Sequence, residues 1–442
     1  MRDQVYLLKT KRFLPLFITQ FFGAFNDNAF KNAFLIWFTY DVATHHHLDA
    51  PMIVTLAAGL FILPFFLFSA TAGQVADKYE KSWLIRQIKL AEILLMIACA
   101  ICFFIQSIYG LLIVLFLMGI QSTFFGPIKY SLLPEHLQEN ELIAGNGLIE
   151  GGTFLSILLG TIFGGLIIRT EYGVALLSCF VIGFAVIGWI ASHSIPKSPI
   201  GDPQLAIRWN IVSETWTIIG YAREERTVWL SIIGISWFWL IGATFLTQFP
   251  IYTQAVIGGN EHIVTLFLTI FSIGIGVGSV GCNKLLKGEI NGRLVPHGAM
   301  GMTIAILLFV AASYVYPIEH RYYLEQVLKD ADRVLTFSEF FQVGLSSWGI
   351  VLSLLMLSIA AGVYIVPLYA MMQHRSDDHY LARVIAANNV INALFMVLAS
   401  LGALVLFSLN FTVTNILLTV GLLNIPVFLV VRGVVKKRLN EA

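Results

Sequence analysis

Long apolar runs separated by short polar breaks fill the chain from end to end. A helix needs roughly 20 mostly apolar residues to cross a bilayer. Runs of that length fall at approximately 13–40, 52–75, 83–107, 110–133, 142–168, 171–193, 227–253, 261–286, 294–316, 346–371, 381–408 and 411–435. Twelve membrane-spanning helices are therefore predicted. Most joints are short and carry turn residues. Two are longer: 194–226, which holds the pattern of a surface helix, and 317–345, which is polar and aromatic. The first run is interrupted in its middle. FFGAFNDNAFKNAF, Phe21 to Phe34, sets Asn26, Asp27, Asn28 and Lys31 inside a segment whose flanks suit lipid.

Composition agrees with the pattern. Of 442 residues, 57% are hydrophobic and 12% charged, with mean hydropathy +0.81. Soluble domains carry about 25% charged residues, so this is a polytopic membrane protein. The net charge of +1, with no basic run and no Cys/His metal spacing, points away from nucleic acid, and no cofactor is called for. Cys99, Cys102, Cys179 and Cys282 all lie in apolar runs and read as small packing residues. MRDQVYLLKTKRF leads directly into the first apolar run, so no cleavable leader is expected.

Positive charge sets the expected orientation. With the N-terminus inside, cytoplasmic segments take 21 of the 27 Lys and Arg residues, Lys89 among them. Outside segments take Arg169, Arg321, Lys329 and Arg333, and Lys31 and Lys129 fall within spans. Both termini are expected in the cytoplasm.

Twelve spans with a long central link suggest two related halves. Pro127 is followed after 19 residues by NGLIE, Asn146 to Glu150, and Pro367 after 21 residues by NNVIN, Asn388 to Asn392. FFGAF at Phe21 is echoed by LIGATF at Leu240. The expected division is 1–193, a six-helix N-terminal half; 194–226, a cytoplasmic linker with a surface helix; and 227–442, a six-helix C-terminal half.

Between the second and third spans stands GQVADKYEK, Gly73 to Lys81. It resembles the G-x-x-x-D-[RK]-x-x-[RK] loop of the major facilitator superfamily. Gly73 permits close helix approach. Asp77 can cap a helix end or meet a cation between the halves. Lys78 and Lys81 suit the anionic cytoplasmic leaflet. The matching second-half stretch, GSVGCNKLLK from Gly278, keeps a glycine and a lysine but lacks the acid. The fold class expected is an all-α membrane protein with the major facilitator fold.

Further stretches resemble the bacterial lysophospholipid transporter family: QFFGAFNDNAFKNAF, FFGPIKYSLLPEHL, ELIAGNGLIEGGTFLSILLGTIFGG, FLTQFPIY and VPLYAMMQHR, together about a quarter of the chain. The resemblance implies a flippase of the bacterial inner membrane. Such a protein moves lysophosphatidylethanolamine and related lysolipids from outer to inner leaflet, for reacylation by a partner acyltransferase/acyl-carrier-protein synthetase.

The residues suit a lysolipid, which needs a small polar patch for its headgroup and an apolar route for its tail. Asp27 and Lys31 share a helix face, and an intramembrane charge normally faces a cavity. Asp27 is placed to meet an ethanolamine cation and Lys31 a phosphate; the plainer reading is an internal Asp27–Lys31 pair. Asn26, Asn28, Glu92 and Gln248 are further binding candidates; some relatives carry a basic residue in place of Gln248. Lys129, Asn146, Glu150, Asn388 and Asn392 read as a gate between halves near the cytoplasmic helix ends, and His297 as structural. Glycines 274, 276, 278 and 281 suit close packing or a lateral opening for an acyl chain. Two rival classes remain. One is a proton-coupled exporter of drugs or small amphipathic solutes, using Asp27 or Glu92 as its proton site. The other is a lipid enzyme, for which an H-x-x-x-x-D pair is wanted; His45 and Asp49 stand one residue too close, and no acyltransferase domain is expected.

Overall fold

The computed structural model describes residues 4–39, 50–328 and 333–441; Arg2, the His45–Asp49 stretch and Lys329 lie outside them. Six long helices precede the link: α1 (Leu14–Trp37), α2 (Ala50–Lys78), α3 (Lys81–Phe104), α4 (Ile108–His136), α5 (Leu142–Ile168) and α6 (Gly173–Ser192). Six follow it: α7 (Arg226–Tyr252), α8 (Glu261–Leu286), α9 (Val295–Tyr323), α10 (Leu345–Arg375), α11 (Leu381–Ser408) and α12 (Val413–Glu441). A link helix covers Ile211–Glu224. Eleven of these helices are long and apolar enough to cross a membrane. The exception is α1, whose hydropathy is lowered by Asn26, Asp27, Asn28, Lys31 and Asn32.

Local chemistry sets the helix starts. Glu80 accepts from the backbone N–H groups of Ser82 and Trp83 and caps α3. Ser107 caps α4, Asn210 the link helix, Glu225 α7 and Asn260 α8. Pro15 and Pro296 open α1 and α9, where the missing N–H costs nothing. The described parts of the 317–345 segment carry more regular structure than its polar sequence predicts. Helix α9 continues to Tyr323, a short helix covers Phe337–Phe340, and Leu335 bridges to Gly259.

Helix pairing repeats between the halves. In the first, α1 packs on α5, α2 on α4 and α3 on α6; in the second, α7 packs on α11, α8 on α10 and α9 on α12. One pair differs. Helix α6 packs closely along α1, whereas its counterpart α12 packs less closely on α7, which it meets through the Trp237–Asn424 hydrogen bond. Between halves, α2 packs on α11 and α5 on α8, with α4 and α5 also reaching α10 and α11. Gly276 faces Gly151 across the α5–α8 contact, where a Cβ on Gly151 would lie 3.4 Å from the Gly276 Cα. Gly274 and Gly278 are pressed against Ser358 and Ile359 of α10. Among the described residues, α1 and α7 are not packed together. The halves thus meet at the end that carries the link, here called the link end, and stand apart at the far end.

Candidate functional site

Helix α1 sorts its polar residues by face. Asn26 is fully buried and donates to Glu92 Oε1 of α3 (3.1 Å) and to the Val181 carbonyl of α6 (3.1 Å). Glu92 Oε2 accepts from Lys89 Nζ at 2.5 Å and from Gln121 Nε2 at 3.0 Å. Lys89 and Glu92 form an ion pair with 0% and 1% side-chain exposure. Gly23 makes room for it, since a Cβ there would sit 2.8 Å from Lys89 Nζ. Two sequence expectations are corrected here. Lys89 is not a cytoplasmic surface charge, because Glu92 one turn away compensates its burial. Glu92 has both oxygens engaged by protein groups of the first half.

The adjacent face of α1 is less deeply buried. Asp27, Asn28 and Lys31 are each half-buried. Asp27 Oδ2 accepts from Ser122 Oγ of α4 at 2.7 Å, while Oδ1 has no hydrogen-bond partner among the described residues. Lys31 donates to Asn28 Oδ1 at 3.3 Å and lies 5.5 Å from the Phe61 ring centre. No direct Asp27–Lys31 ion pair forms; Ser122 holds the carboxylate instead. The patch therefore holds a carboxylate with one buried oxygen lacking a partner among the described residues, and an ammonium one turn on. Gln248 is buried in α7 with Oε1 unpartnered among the described residues. No side-chain contact joins it to the α1 patch among the described residues.

The link end is closed by polar contacts between halves. Asp77, at the end of α2, accepts from Ala382 N (3.1 Å) and Arg383 N (3.3 Å) at the start of α11, and from Arg383 Nε at 2.7 Å. It caps a helix of the other half and pairs with its cation at once. Gly73 makes this approach possible: a Cβ there would sit 2.9 Å from the Arg383 Cα and 2.8 Å from the Ala386 Cβ. The Arg383 guanidinium lies 5.0 Å from the Tyr221 ring centre of the link helix. Lys78 and Lys81 are not free for lipid headgroups. Lys78 donates to the Leu205 carbonyl (2.8 Å), and Lys81 is buried in an ion pair with Glu135 of α4. Glu80 also accepts from Ser198 N at 2.9 Å, strapping the link to the same loop. Burial opposes its ionisation, but the hydrogen bonds from Ser82, Ser198 and Trp83 prevail and hold the carboxyl down at about 2.

Deeper in, Asn146 of α5 and Gln373 of α10 exchange amide hydrogen bonds at 2.7 and 3.1 Å. Gln373 also donates to the Tyr130 carbonyl at 3.2 Å. The rings of Tyr130 (α4) and Tyr369 (α10) stack across the halves, with centroids 4.6 Å apart and planes 6° apart. Tyr130 donates its hydroxyl to Glu150, Lys129 lies 4.5 Å from the Tyr130 ring centre, and Asn388 is buried beside Tyr369. Lys129, Asn146, Glu150 and Asn388 thus belong to one layer. Asn392 does not: it accepts from Ser236 Oγ at 2.7 Å inside the second half, one turn too far along α11 to reach the contact. His297 meets the Arg293 carbonyl at 3.0 Å on the surface.

Sequence reading missed Gln121 and Ser122 as partners of Glu92 and Asp27, Arg383 as the partner of Asp77, and the Gln373–Tyr369–Tyr130 layer. A signal existed for the tyrosines, since one closely follows both Pro127 and Pro367, in GPIKY and VPLY. None marked Gln373, whose partner is 227 residues away.

Comparison with known proteins agrees with this fold. The Lysophospholipid transporter LplT of Escherichia coli is 29% identical over 309 residues, 68% of this chain and 73% of LplT. The human organic anion transporter MFSD10 superposes with TM-score 0.68 at 13% identity, covering 95% of this chain and 99% of that one. A bacterial homologue of the iron transporter ferroportin, in an outward-facing state, gives TM-score 0.64 at 12% identity, covering 95% and 99%. The Major Facilitator Superfamily model matches residues 16–400. With its twelve helices, its α2–α11 and α5–α8 contacts and its GQVADK loop, the chain belongs to the Major Facilitator Superfamily and is a multi-pass membrane transporter.

Proposed function

We propose that this transporter carries lysophospholipids, with lysophosphatidylethanolamine as a preferred substrate, from the outer to the inner leaflet of the bacterial inner membrane. The similarity to LplT supports the substrate class. The observation that carries the headgroup assignment is the α1 patch. Asp27 keeps a buried carboxylate oxygen without a partner among the described residues, with the Lys31 ammonium one turn on, both residues half-buried. A zwitterionic headgroup supplies the complement: its ammonium to Asp27, its phosphate to Lys31. Asn28 adds an amide. The acyl tail stays against apolar helix surface.

Residues 1–193 and 227–442 act as two bodies that rock about this patch, and 194–226 ties them together at the cytoplasmic face. With both termini cytoplasmic, as the distribution of positive charge implies, the structure is closed inside and open outside, the state that receives a lysolipid from the outer leaflet. Asp77–Arg383, Asn146–Gln373 and the Tyr130–Tyr369 stack form the inner gate. Lysolipid delivered inside becomes available to an acyltransferase that restores its second chain. Uptake of labelled lysophosphatidylethanolamine into spheroplasts, with and without the protein, tests this. Uptake that is equal in both, alongside export of a drug driven by a pH gradient, defeats the proposal.

A further inference from the structure

The second half contains a cavity of about 880 Å³ where the repeat in helix packing fails. In the first half, α6 lies along α1. In the second, α12 meets α7 where Trp237 donates to Asn424 at 2.7 Å but otherwise lies less closely along it, and the cavity fills the remaining gap, with walls from α7, α10 and α12 that include Leu230, Trp237, Leu368, Met371, Pro426 and Val430. Its size falls inside the range of roughly 300–1,000 Å³ usual for ligand sites. Every wall belongs to the second half, so the cavity is separate from the space between the halves.

Its polar groups gather at the link end. Arg293 and Glu289, from the turn between α8 and α9, and Arg375, from the end of α10, stand at the rim. Arg375 has no hydrogen bond or ion pair among the described residues, and Arg293 spends only one side-chain bond, a 3.4 Å contact to the Leu285 carbonyl. Glu289 accepts from Asn291 at 3.2 Å through one oxygen. Within the wall, the buried Ser231 hydroxyl has no partner among the described residues. An apolar gap with two guanidiniums and one carboxylate at its mouth, level with a membrane surface, complements an acyl chain below a zwitterionic phosphate head.

We propose that this cavity binds one diacyl phosphatidylethanolamine-type lipid drawn from the link-end leaflet. One acyl chain fills the gap between α7 and α12, the phosphate lies against Arg293 and Arg375, and the ammonium lies toward Glu289. A site inside one half keeps its shape while the halves rock, which suits a resident lipid rather than cargo that passes between them. The proposal is independent of which solute is carried.

The test is native mass spectrometry of the purified protein, supplied in turn with phosphatidylethanolamine, phosphatidylglycerol and lysophosphatidylethanolamine. The wild type is expected to retain one phosphatidylethanolamine. Arg293→Gln with Arg375→Gln is expected to weaken that retention about ten-fold or more, as loss of charge-assisted contacts does. Glu289→Gln is expected to raise phosphatidylglycerol to parity. Val427→Trp, which fills the cavity and leaves the rim charges, is expected to abolish retention, and it decides the matter if the arginine variant does not fold. Equal retention by wild type and Val427→Trp, or a single-chain lipid held in preference to the diacyl one, overturns the site.

Discussion

A charge inside a membrane helix persists only with a partner or a cavity, and this chain shows both solutions one residue apart. Asn26 points into the first half and helps satisfy Glu92; Asp27, on the less buried face, accepts from Ser122 and keeps one buried oxygen without a partner among the described residues. Two predictions follow from that difference. Removing the Asp27 charge as Asp27→Asn should cost one charge-assisted contact, about 1.5–3 kcal/mol, or roughly ten- to a hundred-fold in affinity. The loss should be larger for lysophosphatidylethanolamine than for lysophosphatidylglycerol, which has no amine, when both are measured by binding. Equal losses, with recovery in the Asp27→Asn/Lys31→Met double variant, would make Asp27 a structural residue. Lys89→Met is different: it leaves Glu92 buried and uncompensated, a change that costs about 3–5 kcal/mol. Thermal melting in detergent should show the drop, and Lys89→Met combined with Glu92→Gln should regain most of it. A double variant no better than the single would disprove mutual compensation.

At the scale of elements, the short turn between α2 and α3 organises the link. Glu80 caps α3 and holds Ser198, while Gln74 exchanges hydrogen bonds with the Arg208 backbone at 2.8 and 3.3 Å. Because the Glu80 carboxyl titrates lower folded than unfolded, its contribution is complete above about 4.5 and fades as pH falls toward about 2. A spin label at the exposed position Ile200 should therefore gain mobility across that window. In Glu80→Gln the label should already be mobile at neutral pH and respond little to acid. A label whose motion is unchanged by the substitution would show that the remaining contacts, from Gln74, Asp77, Lys78 and Lys81, hold the link without Glu80.

For the whole molecule, the closed link end and the open far end depend on few polar contacts. Asp77 makes three hydrogen bonds to α11 in the other half. Asp77→Asn keeps shape but weakens the charge-assisted ones, so the closed link end should become less populated and transport should slow. Substrate binding at the α1 patch should survive. Distance distributions between spin labels on the link ends of α4 and α10 report the populations. Lost binding with unchanged distances would contradict the assignment of Asp77 to conformational balance. Orientation has its own check: Phe337→Cys should react with an impermeant reagent in intact cells, and Ile200→Cys should not. The reverse result would turn the transporter over in the membrane and reverse the reading of its open end.

The sequence by itself determined the helices, because hydrocarbon imposes a length and an apolar composition on each span that can be counted along the chain. Bounds such as 142–168, 261–286 and 381–408 agree with α5, α8 and α11 to the residue. It also showed the superfamily through one loop, and the polar interruption of α1, since an amide or a charge in lipid stands out wherever it lies. Partners were another matter. Lys89 looked like a surface charge because its distance from the span boundary is short, and only the packing of α1, α3 and α4 reveals Glu92, Asn26 and Gln121 around it. Asn392 repeated the spacing of its first-half echo yet turned inward to Ser236, since one helical turn decides which half a side chain meets. Asp77 reaches Arg383 across 306 residues, and Asn146 reaches Gln373 across 227. Such pairs, and the gap that α12 leaves beside α7, arise from how finished helices settle against one another, which no local pattern encodes.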